Sequence, residues 1–195
     1  MTTMRPISAQ PLPANATCVF EGKLFSVYQW EQTLYDGSTA TFEKVKRPDT
    51  VLVFATTSDR KILLLTQEQP GYNEPFVGVA GGRVEDGEDP ETAALRELLE
   101  ETGYTSDDMV LWKAEQPLAK IEWAMYTFIA RNCRSISSTM LDAGEKMILK
   151  PVTLDELIEL GTSDGFYERN VIPDLYKAKI KSSYRKKLEG LFFGG

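Results

Sequence analysis

Three glutamates, Glu97, Glu100 and Glu101, are spaced so that on a helix they share one face. Like charges at that spacing repel, and the C-terminal half of a helix is the wrong end for anions. Each penalty is only about a few tenths of a kcal/mol, yet all have the same sign. A hard divalent cation would reverse them. Mg²⁺ takes oxygen ligands and keeps several waters, so three carboxylates on one face suit it. Arg96 can pair with the neighbouring carboxylates and fix their rotamers. The plain alternative is an acidic, solvated helix face.

Other chemistry is excluded by what the chain lacks. There is no histidine among its 195 residues, so neither a Ser-His-Asp arrangement nor a histidine metal site can form. Carboxylates, lysines or a metal must then carry any proton transfer. Cys18 and Cys133 are too few for a disulfide framework or a cysteine zinc site. Buried thiols of a reducing cytoplasm are expected, and with them a cytoplasmic location. The net charge of −7 is uneven: the segment from Pro173 onward carries a local +4, leaving about −11 on the rest. An acidic body does not attract polyanions by its overall field, so bound phosphate calls for a mediating cation, and no nucleic-acid partner is expected. The basic stretch Lys177–Lys187 reads as the solvated face of a terminal helix.

The glutamates stand in a larger pattern. Gly82, Glu88, Arg96, Glu97, Glu100, Glu101 and Gly103 fill all seven fixed positions of G-x5-E-x7-R-E-U-x-E-E-x-G-U, with Leu98 at the first apolar position and Tyr104 at the last. At average composition such a match arises by chance on the order of once in 10⁸ trials. The segment resembles the box of the Nudix hydrolases. That resemblance implies a strand–loop–helix unit inside an α/β/α sandwich, and attack by water on a diphosphate linked to a further group. It implies Glu97 and Glu101 as main metal ligands with Glu100 assisting, the Gly81 carbonyl as a further ligand, and Arg96 and Glu88 as orienting residues. Mg²⁺ is the implied cofactor, with Mn²⁺ as a substitute.

A more diffuse similarity, over roughly Gly22 to Asp174, points to the ADP-ribose pyrophosphatase branch. It rests on the N-terminal hairpin, the ILLLTQEQPG segment and its spacing to the box. Members of that branch are usually homodimers that use the N-terminal lobe. The branch implies hydrolysis of ADP-ribose to AMP and ribose 5-phosphate. The stretch PLAKIEW after Pro117 departs from its proline-rich loop and leaves a nucleotide sugar open as substrate. Tyr28 and Trp30 share one strand face and could stack a nucleobase, the alternative being core or dimer packing. Gln69, Gly82 and Arg83 complete the expected substrate contacts. The branch places its general base on a late loop, occupied here by LDAGEKMILKP. Glu145 is the candidate, Asp142 the second choice, and Glu100 the third if the base lies in the box. Two other functions stay open: a non-catalytic nucleotide-sensing module, and a nucleoside triphosphate or RNA-end pyrophosphohydrolase.

The elements that must hold these residues are also legible. Asp89 is a good N-cap, Pro90 fits the first helical position and Gly103 is a good stop, which predicts a helix over about Pro90–Thr102. Ala94, Leu95, Leu98 and Leu99 supply its apolar stripe. Leu24–Tyr35 and Ser38–Val45 read as a hairpin around Asp36-Gly37, a dipeptide suited to a type I′ turn. Val51–Ala55 and Lys61–Thr66 read as buried strands, and further strands are expected at Met109–Ala114, Ile121–Arg131 and Lys146–Pro151. Helices are expected at Leu154–Leu160 and Pro173–Leu191. Strands dominate early and helices interrupt later, so the expected class is α+β: a sandwich with a mixed sheet and an N-terminal antiparallel β-lobe. Residues 1–16 read as a loose arm, 17–47 as the lobe and 48–195 as the hydrolase domain. No apolar run is long enough to span a bilayer, so no membrane association is expected.

Overall fold

The structure, a computed structural model, describes residues 3–139, 141, 146–162 and 166–194. Three strands open the chain: β1 (Thr17–Glu21), β2 (Ser26–Thr33) and β3 (Thr39–Lys46). Next come β4 (Thr50–Thr56), β5 (Ile62–Glu68), β6 (Phe76–Gly78), β7 (Ala80–Arg83) and the helix α1 (Pro90–Thr102). Beyond it lie β8 (Tyr104–Thr105), β9 (Asp108–Glu115), β10 (Ile121–Glu122), β11 (Met125–Arg131), β12 (Arg134–Ser135) and β13 (Lys146–Val152). The helices α2 (Leu154–Gly161), α3 (Ile172–Ile180) and α4 (Ser182–Phe193) complete it.

The central sheet runs β13-β5-β4-β11-β9, with β6 beside β5 and β7 beside β4. The β4–β11 pairing is parallel and the other strand pairings described in it are antiparallel, so the sheet is mixed. Its inner strands are buried on both faces, which is why they read as near-continuous apolar runs. Val51, Val53, Leu63, Leu65 and Phe128 pack on one side with Ala93, Ala94 and Leu98 of α1. Phe54, Ile62, Leu64 and Ile129 face the other side, against Leu157, Leu175, Leu188 and Phe192 of α2, α3 and α4. The result is an α/β/α sandwich of the α+β class.

The lobe sheet runs β1-β2-β3-β10. Its fourth strand comes from far along the chain: Ile121 and Glu122 pair in parallel with Val45 and Lys46. The stretch expected as one strand, 121–131, is therefore divided between two sheets. The Asp49 carboxylate accepts the Ala124 N–H (2.8 Å) where the chain changes sheets. Two other expectations change. The hairpin turn is not type I′, because of the two central residues only Gly37 has a positive φ (84°). The Gly37 N–H donates to Leu34 O and the Leu34 N–H to Ser38 O, a type I turn followed by a left-handed glycine. The C-terminal helix is split at Lys181, whose extended backbone (φ −129°, ψ 108°) separates α3 from α4.

The arm before β1 is tied down from Thr3 to Gln10. The Lys44 side chain, wholly buried, donates to Ser8 Oγ (2.7 Å), Gln10 O and Glu122 Oε2 (2.7 Å). Arg5 pairs with both oxygens of Asp49 and with Glu122 Oε1 (2.6 Å). The Thr3 N–H reaches Asp89 Oδ2 (3.2 Å), at the cap of α1.

Candidate active site

The helix α1 begins and ends where its capping chemistry requires. Asp89 has an extended backbone and its side chain accepts the Glu91 N–H (3.0 Å). Gly103 takes the left-handed conformation (φ 74°) and its N–H donates to Leu99 O (2.8 Å). A side chain there would also strike Ser137 O at 2.2 Å, so both backbone angle and space demand glycine.

The strand β7 lies along α1 and brings two glycines to the glutamate face. Glu101, only 8% exposed, accepts the Gly81 N–H (2.9 Å). One turn earlier, the Glu97 carboxylate fills the space a side chain on residue 82 would need: a Cβ at Gly82 would lie 2.2 Å from Glu97 Oε1. Arg96 organises the rest. Its Nε and Nη2 donate to the two oxygens of Glu88 (3.0 and 3.1 Å), and Nη2 also donates to Arg83 O (2.9 Å). Its Nη1 donates to Glu97 Oε1 (2.8 Å) and Glu100 Oε2 (3.2 Å). This guanidinium holds the Glu88 carboxyl below the usual carboxylate range, and the acids raise Arg96 in return.

A cavity of about 730 Å³ opens over this surface, lined by Gly81, Gly82, Arg83, Glu97, Glu100 and Glu101 together with Pro48 and the 84–86 loop. Its donor set is oxygen from three carboxylates, the chemistry a hard divalent cation takes. Among the described residues no three acids already converge on one point. The Arg96 Nη1 stands between Glu97 and Glu100.

The sequence candidates fall in three places. Gly81, Gly82, Arg83, Arg96, Glu97, Glu100 and Glu101 come together at this cavity, with Glu88 behind Arg96. Tyr28, Trp30 and Gln69 do not line it. Trp30 is 6% exposed, edge-on to Phe42 at 6.0 Å, with its indole N–H on Gln32 Oε1. Tyr28 lies under Lys46 Nζ, 5.9 Å from the ring centre. Gln69 borders a separate cavity of about 370 Å³. Glu145 and Asp142 lie outside the described residues.

Two residues escaped the sequence reading. Arg47, which the sequence marks only as the last residue of the lobe, lies 4.7 Å from the Trp123 ring centre and 6.0 Å from that of Phe25. Its Nε is buried without a hydrogen-bond partner, and no ion pair reaches the guanidinium among the described residues. Burial first, and then the field of Arg83, lower its pKa. Two arginines thus stand near each other beside the cavity. The other residue is Glu168, buried beneath Gly78. Its Oε1 accepts the Val79 N–H (3.3 Å), and burial lifts its carboxyl to about 7. Nothing in the local sequence marks either residue; only the meeting of distant segments does.

Comparison with known proteins agrees with this geometry. The model of the NUDIX domain matches residues 46–175. The chain is 31% identical to an ADP-ribose pyrophosphatase of Bacillus subtilis over 167 residues, covering 85% of this chain and 90% of that protein. It is 27% identical to a methanol dehydrogenase activator of Bacillus methanolicus, covering 87% and 92%. A solved structure described as an ADP compounds hydrolase superposes with a TM-score of 0.72 at 22% identity, over 95% of this chain and 97% of that one, and shares the fold.

Proposed function

The chain belongs to the Nudix family and is a pyrophosphatase of it, and on that premise we propose that it hydrolyses the diphosphate of ADP-ribose or a nucleotide sugar. ADP-ribose would yield AMP and ribose 5-phosphate. The observation that carries this reading is the meeting of Glu97 and Glu101 with Gly81 and Gly82 at the floor of the cavity. Glu97, Glu101, Glu100 and the Gly81 carbonyl would hold Mg²⁺, or Mn²⁺ in its place. Bound there, the ion would offset phosphate charge and lower the pKa of the attacking water. Arg96 fixes the rotamers of Glu97 and Glu100. Arg83 and Arg47 supply positive charge toward the diphosphate, and the Arg47 Nε is buried without a hydrogen-bond partner among the described residues. Glu145 takes the proton of the water.

We read the assembly as a homodimer formed through the lobe, in the cytoplasm. Val19, Phe20, Leu24 and Phe25 present apolar side chains on the lobe surface, which supports the dimer. No helix among the described residues is long and apolar enough to cross a membrane. Light scattering should give twice the 21.9 kDa chain mass.

The test is incubation with Mg²⁺ and a panel of ADP-ribose, nucleotide sugars, dinucleotides and nucleoside triphosphates. The expected result is turnover of the first two groups. In ¹⁸O-labelled water the label should enter one of the two product phosphates. Label on the sugar carbon, or turnover of triphosphates alone, would overturn the reading.

A further inference from the structure

The loop between β7 and α1, residues 84–89, is a partition between two cavities. On one side Val84, Glu85 and Asp86 line the catalytic cavity. On the other side the same three residues line a cavity of about 580 Å³, together with Arg5 and Leu12 of the N-terminal arm. The loop holds itself only thinly. The Glu85 N–H donates to Glu88 Oε2 (3.0 Å) and the Glu88 N–H to Glu85 O (3.0 Å), while Glu85, Asp86 and Gly87 are exposed. Yet this loop delivers Glu88 to Arg96, and Arg96 in turn orients Glu97 and Glu100.

Both ends of the loop are held from outside it. At the start, the Val84 N–H donates to Asp49 O (2.9 Å), beside Thr50, which pairs with Arg83. At the end, Asp89 caps α1 with Oδ1 and accepts the Thr3 N–H on Oδ2 (3.2 Å). Arg5 joins the two ends. Its Nε and Nη2 donate to both oxygens of Asp49 (2.7 and 3.0 Å). Thr3 and Arg5 are two residues apart, at most about 7 Å along the chain. Asp49 depends on this arginine. Its side chain is 18% exposed, and among the described residues no other cation pairs with it. Without Arg5 the carboxylate would keep the Ala124 N–H alone, whereas Glu122 would keep Lys44. A fork of two parallel N–H···O bonds fixes orientation as well as adding energy.

We infer that Arg5 is a positioning residue for the hydrolysis: by gripping Asp49 beside Val84 while Thr3 holds Asp89, it braces both ends of the 84–89 loop and so fixes the Glu88–Arg96–Glu97 alignment. This rests on the metal-assisted reaction proposed above. Arg5 lines the arm-side cavity and not the catalytic one, so it acts through Asp49 and the loop. The arm, loose by its composition, becomes part of the frame of the active site.

The experiment compares Arg5→Gln and Arg5→Lys in the full chain with Leu188→Ala, a core change on the opposite face of the central sheet. Hydrolysis of ADP-ribose is measured against Mg²⁺ concentration, well below the Tm of each variant. Exchange of the Val84 amide is followed by NMR. In Arg5→Gln, kcat should fall roughly 10- to 100-fold, the scale for losing a group that orients metal ligands. Half-saturation by Mg²⁺ should rise, with KM for ADP-ribose little changed. The Val84 amide should exchange about tenfold faster, as one weakened hydrogen bond allows. Arg5→Lys keeps the charge and loses the fork, so it should recover only part of kcat. Leu188→Ala should leave kcat and the Mg²⁺ dependence unchanged. Wild-type kcat and Val84 exchange in Arg5→Gln would overturn the brace, as would an equal loss of kcat in Leu188→Ala. So would an effect confined to KM and removed by salt, which would make Arg5 a source of field only. If Arg5→Gln does not fold, Thr3→Pro removes the N–H on Asp89 and should raise Mg²⁺ half-saturation in the same direction. An unchanged value there would overturn the inference. Absence of hydrolysis of any diphosphate by the wild-type chain would instead defeat the reading on which it rests, and Val84 exchange would still decide the brace.

Discussion

Gly82 and Glu97 share a single space: the carboxylate stands where a side chain on residue 82 would be, 2.2 Å from the position of its Cβ. A Gly82→Ala substitution must therefore displace Glu97 or the strand. Turnover should fall by about a hundredfold, the scale of one lost electrostatic contribution to the transition state. Glu97→Gln and Glu101→Gln should fall at least as far while circular dichroism stays native. Near-normal rates in either at saturating Mg²⁺ would contradict the assigned metal ligands.

The general base is tested by Glu145→Gln and Asp142→Asn. If Glu145 deprotonates the water, its variant loses kcat with little change in KM and flattens the acid limb of the pH–rate profile. Loss in Asp142→Asn alone would move the role there. Wild-type rates in both would return it to the helix, at Glu100.

Glu168 makes a pH prediction with an unusual sign. Burial lifts its carboxyl from 4.5 to about 7, so the folded chain keeps a proton that the unfolded chain has released between those values. A group raised in the folded state stabilises it fully below the unfolded value, and that contribution declines as pH rises toward 7. The Tm should accordingly drop from pH 4.5 to 7 by more in the wild type than in Glu168→Gln, and the two curves should run parallel above 7. Melting curves in a pH series provide the comparison. Equal slopes over the whole range would show that the carboxyl is ionised throughout.

Lys44 and Glu122 form a buried pair whose halves are costly to separate. Removing Glu122 leaves Lys44 with only the neutral oxygens of Ser8 and Gln10, a loss of about 3–5 kcal/mol, whereas removing Lys44 leaves Glu122 still paired with Arg5. In a chain of this size the first loss lowers Tm by on the order of 10 °C. Glu122→Leu should show it in full and Lys44→Met a smaller loss, because Arg5 stays on Glu122, while the double variant should recover a large part of the Glu122→Leu loss. Strictly additive losses would mean that the two side chains do not act as a pair.

Local signals in the sequence decided what could be read from it. Asp89, Pro90 and Gly103 mark both ends of α1, and the glutamate spacing identifies its chemical face, because capping and helical periodicity depend on neighbours in the chain. The hairpin was legible but its turn type was not, since Asp36-Gly37 suits either a type I′ turn or the type I turn with a following left-handed glycine. The break at Lys181 carries no proline or glycine to announce it. The division of 121–131 between two sheets depends on Asp49, more than seventy residues earlier. Arg47 and Glu168 stand out only once Phe25, Trp123, Gly78 and Val79 have been brought against them. Long-range contacts of this kind leave no trace in composition or period.

The parallel strand β10 also sets a schedule. Lys44 and its counter-charge on Glu122 are 78 positions apart. At the ribosome, which adds about 5–20 residues per second, the hairpin is made roughly 4 to 16 seconds before the segment that closes its sheet. During that interval Lys44 stays in water and β3 offers an open edge. The Nudix helix emerges before the lobe is finished, so the N-terminal hairpin matures only after the segment that carries the catalytic helix has been made. A nascent chain stalled between residues 100 and 120 should therefore be protease-sensitive in its first 50 residues.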